Sequence, residues 1–397
     1  MMEPAPDPLN SNRFSYFHIF GAVMTIVGTT IGAGILGLPS LFSKSGYMTG
    51  VIVLLFLSLF FIYVFLLLGE AIMRTKEEHQ LPGLAERYLG QNGKSWLFIS
   101  MLLGSYGSLT AYLIASGEAI LELGKIFFDL SGIFSSSLFY SIIFFLLMSI
   151  LIIRGLNVIE NSEIIVTGFL LLFVGMIFVI AFSEIDVGNV SLSTFSAYNL
   201  IIPYGAIFFS LMGFNSIPEA IRILHRRRSL VPYVLVAGVI VPVLAYIVFS
   251  GAIVGVMGAN TNELGVTGLG DVLGPEVKII ANIFLIFAVT TSFLGIGFAQ
   301  VSVFTHDYKM PRVFSWFLAC GVPFLIFISI RNLMGFVNVL SITGSIFGAV
   351  MTGLIIVISY LAKKKGEVTP TYKVPVNLPI VVFLVMLLLG GMVTLFI

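Results

Sequence analysis

The chain has 397 residues, 58% of them hydrophobic and only 10% charged, with a formal net charge of +1. A soluble domain is roughly a quarter charged, so this balance excludes an ordinary globular chain and points to a lipid bilayer as the solvent, while the near-neutral charge excludes a nucleic-acid partner. The single cysteine, Cys320, excludes an internal disulfide and reads as a packing residue in an apolar run.

Residues 1–15 read as a short polar, Pro-rich cytosolic tail that lacks the basic start of a cleavable signal peptide. Eleven apolar runs long enough to cross the hydrocarbon core follow, over 16–43, 47–73, 95–124, 134–153, 162–184, 199–224, 231–256, 277–304, 314–330, 334–361 and 375–397. With the N-terminus inside, sixteen of the lysines and arginines fall on the inner side and four on the outer side, which fixes the orientation. The basic clusters are therefore a topology signal rather than a ligand site.

The first span contains Gly28-Thr29-Thr30-Ile31-Gly32-Ala33-Gly34, a composition that weakens a helix at mid-membrane depth. Two readings stay open for it, a small-residue packing face and a substrate site. The third span carries Glu118 and Glu122 in its outer half, and the fifth has no lysine or arginine. The sixth contains a second weak stretch, Ser210-Leu211-Met212-Gly213-Phe214-Asn215-Ser216, followed by Glu219. Glu219 and Glu118 are candidate gates or proton carriers, because an ionisable group at such depth is costly; Glu219 alternatively pairs with Arg222 one turn on. In the eighth span, Ala288, Thr291 and Ser292 stand at i, i+3 and i+4 and share one helix face. The two hydroxyls either bond back to the preceding turn or offer oxygens to a hard cation such as sodium.

The two weak stretches share a mark: Gly34 and Gly213 are each followed five residues on by proline, Pro39 and Pro218, at an offset of 179 residues. The same offset maps the starts of spans 3 and 4 close to those of spans 8 and 9, while spans 2 and 5 fit less well. The chain thus divides into a five-helix repeat over 16–184, a second over 199–361, and an eleventh helix over 375–397. Five is odd, so the second repeat lies inverted, and broken helices at matching places in inverted repeats mark a midplane binding site. Backbone groups freed by such breaks need partners; an amino acid's carboxylate and ammonium supply them.

Other motifs carry less. Gly32-Ala33-Gly34-Ile35-Leu36-Gly37 matches a dinucleotide-binding pattern but lacks the strand and soluble βαβ unit it requires. Gly268-Leu269-Gly270-Asp271 matches the G-x-G-D of intramembrane aspartyl proteases, but no second intramembrane aspartate exists. The four histidines lie at span ends or in loops, which argues against a histidine relay or metal site.

Val27-Gly-Thr-Thr-Ile-Gly-Ala-Gly-Ile-Leu-Gly-Leu-Pro39 resembles the first-helix signature of the amino acid–polyamine–organocation superfamily, and Phe209-Ser-Leu-Met-Gly-Phe-Asn-Ser-Ile-Pro-Glu219 resembles the sixth helix of its amino acid/auxin permease branch or of the related aromatic and hydroxy amino acid permeases. The resemblance implies an all-α polytopic membrane protein with the leucine-transporter-type fold. It implies that the N–H groups of Ala33 and Gly34 hold a substrate carboxylate and that the carbonyls of Thr30, Phe209 and Ser210 take the ammonium. It further implies a sodium site built from Gly28, Ile31, Ala288, Thr291 and Ser292. Some proton-coupled members instead carry a fifth-helix lysine, which this chain lacks.

The expected function is secondary active transport of a small neutral amino acid by alternating access, because the weak stretches hold no charged residue to balance a charged side chain. Gly213, Phe214, Phe208, Phe209 and Tyr106 are the candidate lining for that side chain. Sodium is the expected coupling ion, with no organic cofactor, no obligate protein partner and the bilayer of the cell membrane as surroundings. Alternatives are a proton-coupled permease and an amino-acid-binding membrane sensor, the latter disfavoured by short cytosolic loops. An enzyme lacks any nucleophile–base or metal cluster.

Overall fold

The computed structural model describes residues 8–155, 163–190, 196–224 and 227–376. Helices are the regular elements of this part: α1 (Pro8–Ile31), α2 (Leu38–Ser45), α3 (Tyr47–Arg74), α4 (Leu81–Phe127), α5 (Ser137–Arg154), α6 (Glu163–Ala181), α7 (Ala197–Ile201), α8 (Tyr204–Ser210), α9 (Ile217–Ile223), α10 (Val231–Met257), α11 (Leu269–Leu273), α12 (Pro275–Ser302), α13 (Arg312–Trp316), α14 (Val322–Ile330), α15 (Phe336–Thr343) and α16 (Ala349–Lys365). Among the described residues nine helical runs are long and apolar enough to cross a membrane, and a tenth span is the bent pair Tyr16–Ile31 and Ala33–Ser45, with an angle of 43°. These ten match the first ten expected spans. The eleventh, over 375–397, lies almost entirely outside the described residues.

Local sequence explains the joints. Pro39 and Pro218 stand in the first turns of α2 and α9, where a missing N–H costs nothing and the fixed φ favours a helix. The shared Gly–Pro mark is therefore a break followed by a restart signal. The third span begins earlier than its apolar run: α4 starts at Leu81 with a polar stretch and kinks at Gly90, whose φ of 73° only glycine adopts readily. Large side chains such as Leu59, Phe169, Leu172 and Val179 are exposed around the bundle, a surface suited to lipid rather than water.

Helices α1, α3, α9 and α10 pack on one another, and α4 packs with α5, α12 and α14; α15 and α16 bridge the groups through α8, α3 and α4. At one end the segment 366–376 crosses the foot of α3. Glu70 there is 1% exposed. It accepts from Arg74 at 2.8 and 2.9 Å, from Lys363 Nζ at 2.7 Å and from the Val374 amide at 2.8 Å. The Arg74 carbonyl accepts from the amides of Glu367 and Val368, Tyr372 donates to the Leu66 carbonyl at 2.8 Å, and Thr371 donates to the Arg228 carbonyl at 3.0 Å.

At the opposite end, residues 258–274 fold down over the first helix break. Leu264, Val266 and Leu269 in this loop are buried, and a Cβ on Gly265 would come 3.0 Å from Pro39 and 3.1 Å from the Leu36 carbonyl. The Glu263 carboxylate accepts from the Val337 amide at the start of α15, at 2.8 Å. Lys278 on α12 holds Asp271 at 3.0 Å and Glu122 on α4 at 3.1 Å. Asp271, conspicuous in its G-x-G-D, is thus a partner in an ion-pair network.

Candidate functional site

The first break is centred on Gly32, with φ of 31° and ψ of −159°. Its N–H reaches back to the Gly28 carbonyl at a long 3.5 Å, after which a 3-10 turn, Ala33–Gly37, leads into α2. The second break follows α8: Leu211 to Gly213 leave the helix, and a 3-10 turn, Phe214–Ser216, leads into α9. The Gly213 carbonyl accepts from the Ser216 hydroxyl at 2.7 Å.

The two breaks interlock. A Cβ on Gly34 would come 2.7 Å from Ser210 Oγ and 3.3 Å from its Cα, and a Cβ on Gly213 would collide with the Thr30 hydroxyl. Each break therefore needs glycine where the other presses against it. Between them stands Tyr246 of α10, fully buried, its hydroxyl 2.8 Å from the Thr30 carbonyl and 2.7 Å from the Ser210 carbonyl. A hydroxyl has one proton, so it serves one of these carbonyls at a time.

A cavity of about 360 Å³ opens beside the breaks. Its lining comes from the stretch Gly28 to Gly34 of the first span, residues 100–112 of α4, 166–170 of α6, 291–299 of α12, Phe209, Met212 and Asn215 of the second break, Thr343 of α15 and Met351 of α16. These are the halves of the helices nearest the N-terminal end of the bundle, so the cavity runs from the breaks toward that end, away from the loop 258–274. Among the described residues, no acidic or basic side chain is in the lining.

Of the expected site residues, Gly28, Thr30, Gly34, Phe209, Thr291 and Ser292 line this cavity, and Ile31, Ala33 and Ala288 are buried beside it. Gly213 and Ser210 belong to the interlock. Phe214 packs instead on Phe61 and Phe65, ring centroids 5.5 and 5.3 Å away, and Phe208 joins that cluster. Tyr106 donates to the Leu318 carbonyl at 2.7 Å and is not part of the lining; its hydroxyl serves helix packing. Glu219 pairs with Arg222 at 2.5 Å and lines a separate, smaller cavity of about 210 Å³ with the 75–80 loop. Glu118 is half-buried in the outer part of α4.

Thr291 donates to the Phe287 and Ala288 carbonyls, both at 3.1 Å, and Ser292 lines the same cavity as Tyr112. A Cβ on Gly32 would lie 3.8 Å from Ser292 Oγ, and one on Gly28 would collide with the Thr167 hydroxyl of α6. The first break thus faces α12 and α6 together. Tyr246, Tyr112, Thr167 and Asn215 escaped the sequence reading. The available signals were polar groups standing alone in apolar spans.

The tryptophan/tyrosine permease family pattern matches residues 16–396. Glutamine transporter 2 of Aliivibrio fischeri is 24% identical over 371 residues, 89% of this chain and 92% of the relative. Tyrosine-specific transport system 1 of Haemophilus influenzae is 24% identical over 396 residues, 94% of this chain and 95% of the relative. Among solved structures, MhsT in complex with L-phenylalanine superposes with a TM-score of 0.64 at 16% identity, covering 95% of this chain and 97% of that one. The nucleobase-cation-symport-1 family transporter MHP1, in a closed conformation with bromovinylhydantoin bound, gives 0.60 at 14% identity, covering 85% of this chain and 77% of that one. Both have the leucine-transporter-type fold, which is the fold of this chain. With its pattern spanning nearly all the residues, the chain belongs to the tryptophan/tyrosine permease family of membrane transporters.

Proposed function

We propose that this chain is a secondary active transporter that carries a neutral amino acid across the cell membrane by alternating access, coupled to sodium, with its N-terminus in the cytoplasm. The observation that carries the reading is the uncharged cavity at the crossing of two broken helices. A charged side chain would sit there without a counter-charge, which is costly once water is excluded. Glutamine and tyrosine, in the names of the relatives, are both neutral.

In this reading the first N–H groups of the turn after Gly32, those of Ala33 and Gly34, receive the carboxylate, since the opening amides of a helix lack intrahelical partners. The carbonyls of Thr30, Phe209 and Ser210 receive the ammonium. Thr30 and Ser210 already share Tyr246's single proton, so one of them has an acceptor site to spare. Sodium lies between the Gly28 and Ile31 carbonyls on one side and the Ala288 carbonyl, Thr291 and Ser292 on the other. Thr291's proton is given to backbone carbonyls, which leaves its lone pairs for a cation. Ion and substrate then bias one conformational equilibrium, and the coupling between them is reciprocal.

Uptake of labelled amino acids into proteoliposomes tests this. Neutral amino acids should enter saturably, sodium should stimulate entry, and Thr291→Ala with Ser292→Ala should remove the stimulation more than residual binding. Uptake that persists in choline and collapses when a pH gradient is dissipated assigns the coupling to protons. Stronger competition by lysine or glutamate than by any neutral amino acid overturns the neutral-substrate reading.

A further inference from the structure

We infer that Asn215 determines the specificity of the cavity, its carboxamide selecting amino acids whose uncharged side chain both donates and accepts hydrogen bonds, as a phenol or a carboxamide does. The inference rests on the reading of the cavity as an amino acid site and adds the chemistry of the side chain it takes.

Asn215 stands inside the second break, in the 3-10 turn Phe214–Ser216. Its neighbours Phe214 and Ser216 are buried, whereas Asn215 is exposed and lines the cavity. An exposed amide at the middle of an apolar bundle is unusual, because its two N–H groups and its carbonyl each need a partner whenever water leaves. No hydrogen bond is formed by the Asn215 side chain among the described residues.

Most of the other polar groups of the lining have already given up their proton. Thr29, Thr30, Ser100, Ser105, Ser108 and Thr343 each donate their proton to the carbonyl one turn back, at 2.7 to 2.9 Å. Such oxygens still accept but no longer donate. Thr291 is committed likewise, whereas the Tyr112 and Ser292 hydroxyls, also in the lining, are not among these back-bonded groups. Thr167 also has a partner. Asn215 is thus the carboxamide of the described lining, with its N–H donors and its carbonyl uncommitted. Met212 and Phe209, which line the cavity from the same break, are apolar.

A substrate side chain in this cavity meets thioethers, the rings of Phe209 and Tyr112, hydroxyls that mostly no longer donate, and one amide. A phenol donates to the amide carbonyl or accepts from its N–H; a carboxamide does both at once. A purely apolar side chain leaves the amide without a partner when the site closes over it. Sites built to hydrogen-bond a substrate group discriminate strongly against analogues that lack it.

The test is equilibrium competition binding to the purified full-length protein with two matched pairs, tyrosine against phenylalanine and glutamine against methionine. The wild-type protein should favour the first member of each pair by about tenfold or more. Asn215→Leu, which keeps size and removes the amide, should bring both ratios to within about threefold, and Asn215→Ala should do the same without the bulk of leucine. Amino acid binding with no preference in the wild type, or a preference that both variants retain, overturns the inference and leaves the transporter reading standing. Binding of no amino acid by the wild-type protein overturns that reading, and this inference with it.

Discussion

Tyr246 holds two carbonyls with one proton, and both belong to residues assigned to the substrate's amine. Its replacement by phenylalanine leaves a buried carbonyl unpaired, at a cost of about 1–3 kcal/mol. Tyr246→Phe should therefore lower the melting temperature of the substrate-free protein by a few degrees. A bound ammonium brings three donors to the same carbonyls, so saturating substrate should raise the variant's melting temperature more than the wild type's. Thermal unfolding in detergent, with and without substrate, measures both; an equal gain in the two proteins would mean the amine goes elsewhere. The glycines and prolines of the breaks were legible in the sequence because their effect is local. Tyr246 was not, because its partners lie 216 and 36 residues away. Tyr106 failed for the same reason: an aromatic residue in the right span pointed its hydroxyl at Leu318, 212 residues distant.

The loop 258–274 behaves as an element with its own fastenings. Glu263 caps the start of α15 through the Val337 amide, and Asp271 is held by Lys278. Loss of a carboxylate at a helix start costs about 1 kcal/mol, roughly a fivefold change in an equilibrium between closed and open loop. Glu263→Ala should raise the labelling rate of Val266→Cys by a membrane-impermeant maleimide about fivefold. Val266 is fully buried on the underside of the loop, and the only native cysteine, Cys320, is removed first by Cys320→Ala. An unchanged rate would show that the loop is held by its apolar underside alone. The ten spans were legible from apolar length, but this loop was not. Its polar composition reads as a linker, and its seat depends on contacts with α2, α12 and α15. The early start of α4 was missed because residues 81–94 are too polar to count as a span.

Across the whole molecule, the strap 366–376 ties the last described helix to α3 through Glu70. Removing that carboxylate leaves Arg74 and Lys363 facing each other with side chains only 15% and 20% exposed. Breaking a buried pair in this way costs about 3–5 kcal/mol, and water at the half-open edge reduces that toward the lower figure. Glu70→Ala should markedly reduce thermal stability, and adding Lys363→Met should restore part of the loss, since the two residues share one network. Purely additive losses would mean that the strap is held by its backbone bonds to Arg74 instead.

The interlock of the two breaks has an electrical consequence. Gly34 makes room for Ser210, and Gly213 makes room for Thr30. A tilt of one broken helix would thereby be imposed on the other, the pair turning as a single joint. An ion at the proposed place between the first span and α12 would then not loosen its own side without also moving the sixth span, where the substrate would bind. If sodium is the coupling ion as proposed, the carrier should pass little current while empty in an energised membrane, because ion and substrate would then open their paths through the same hinge.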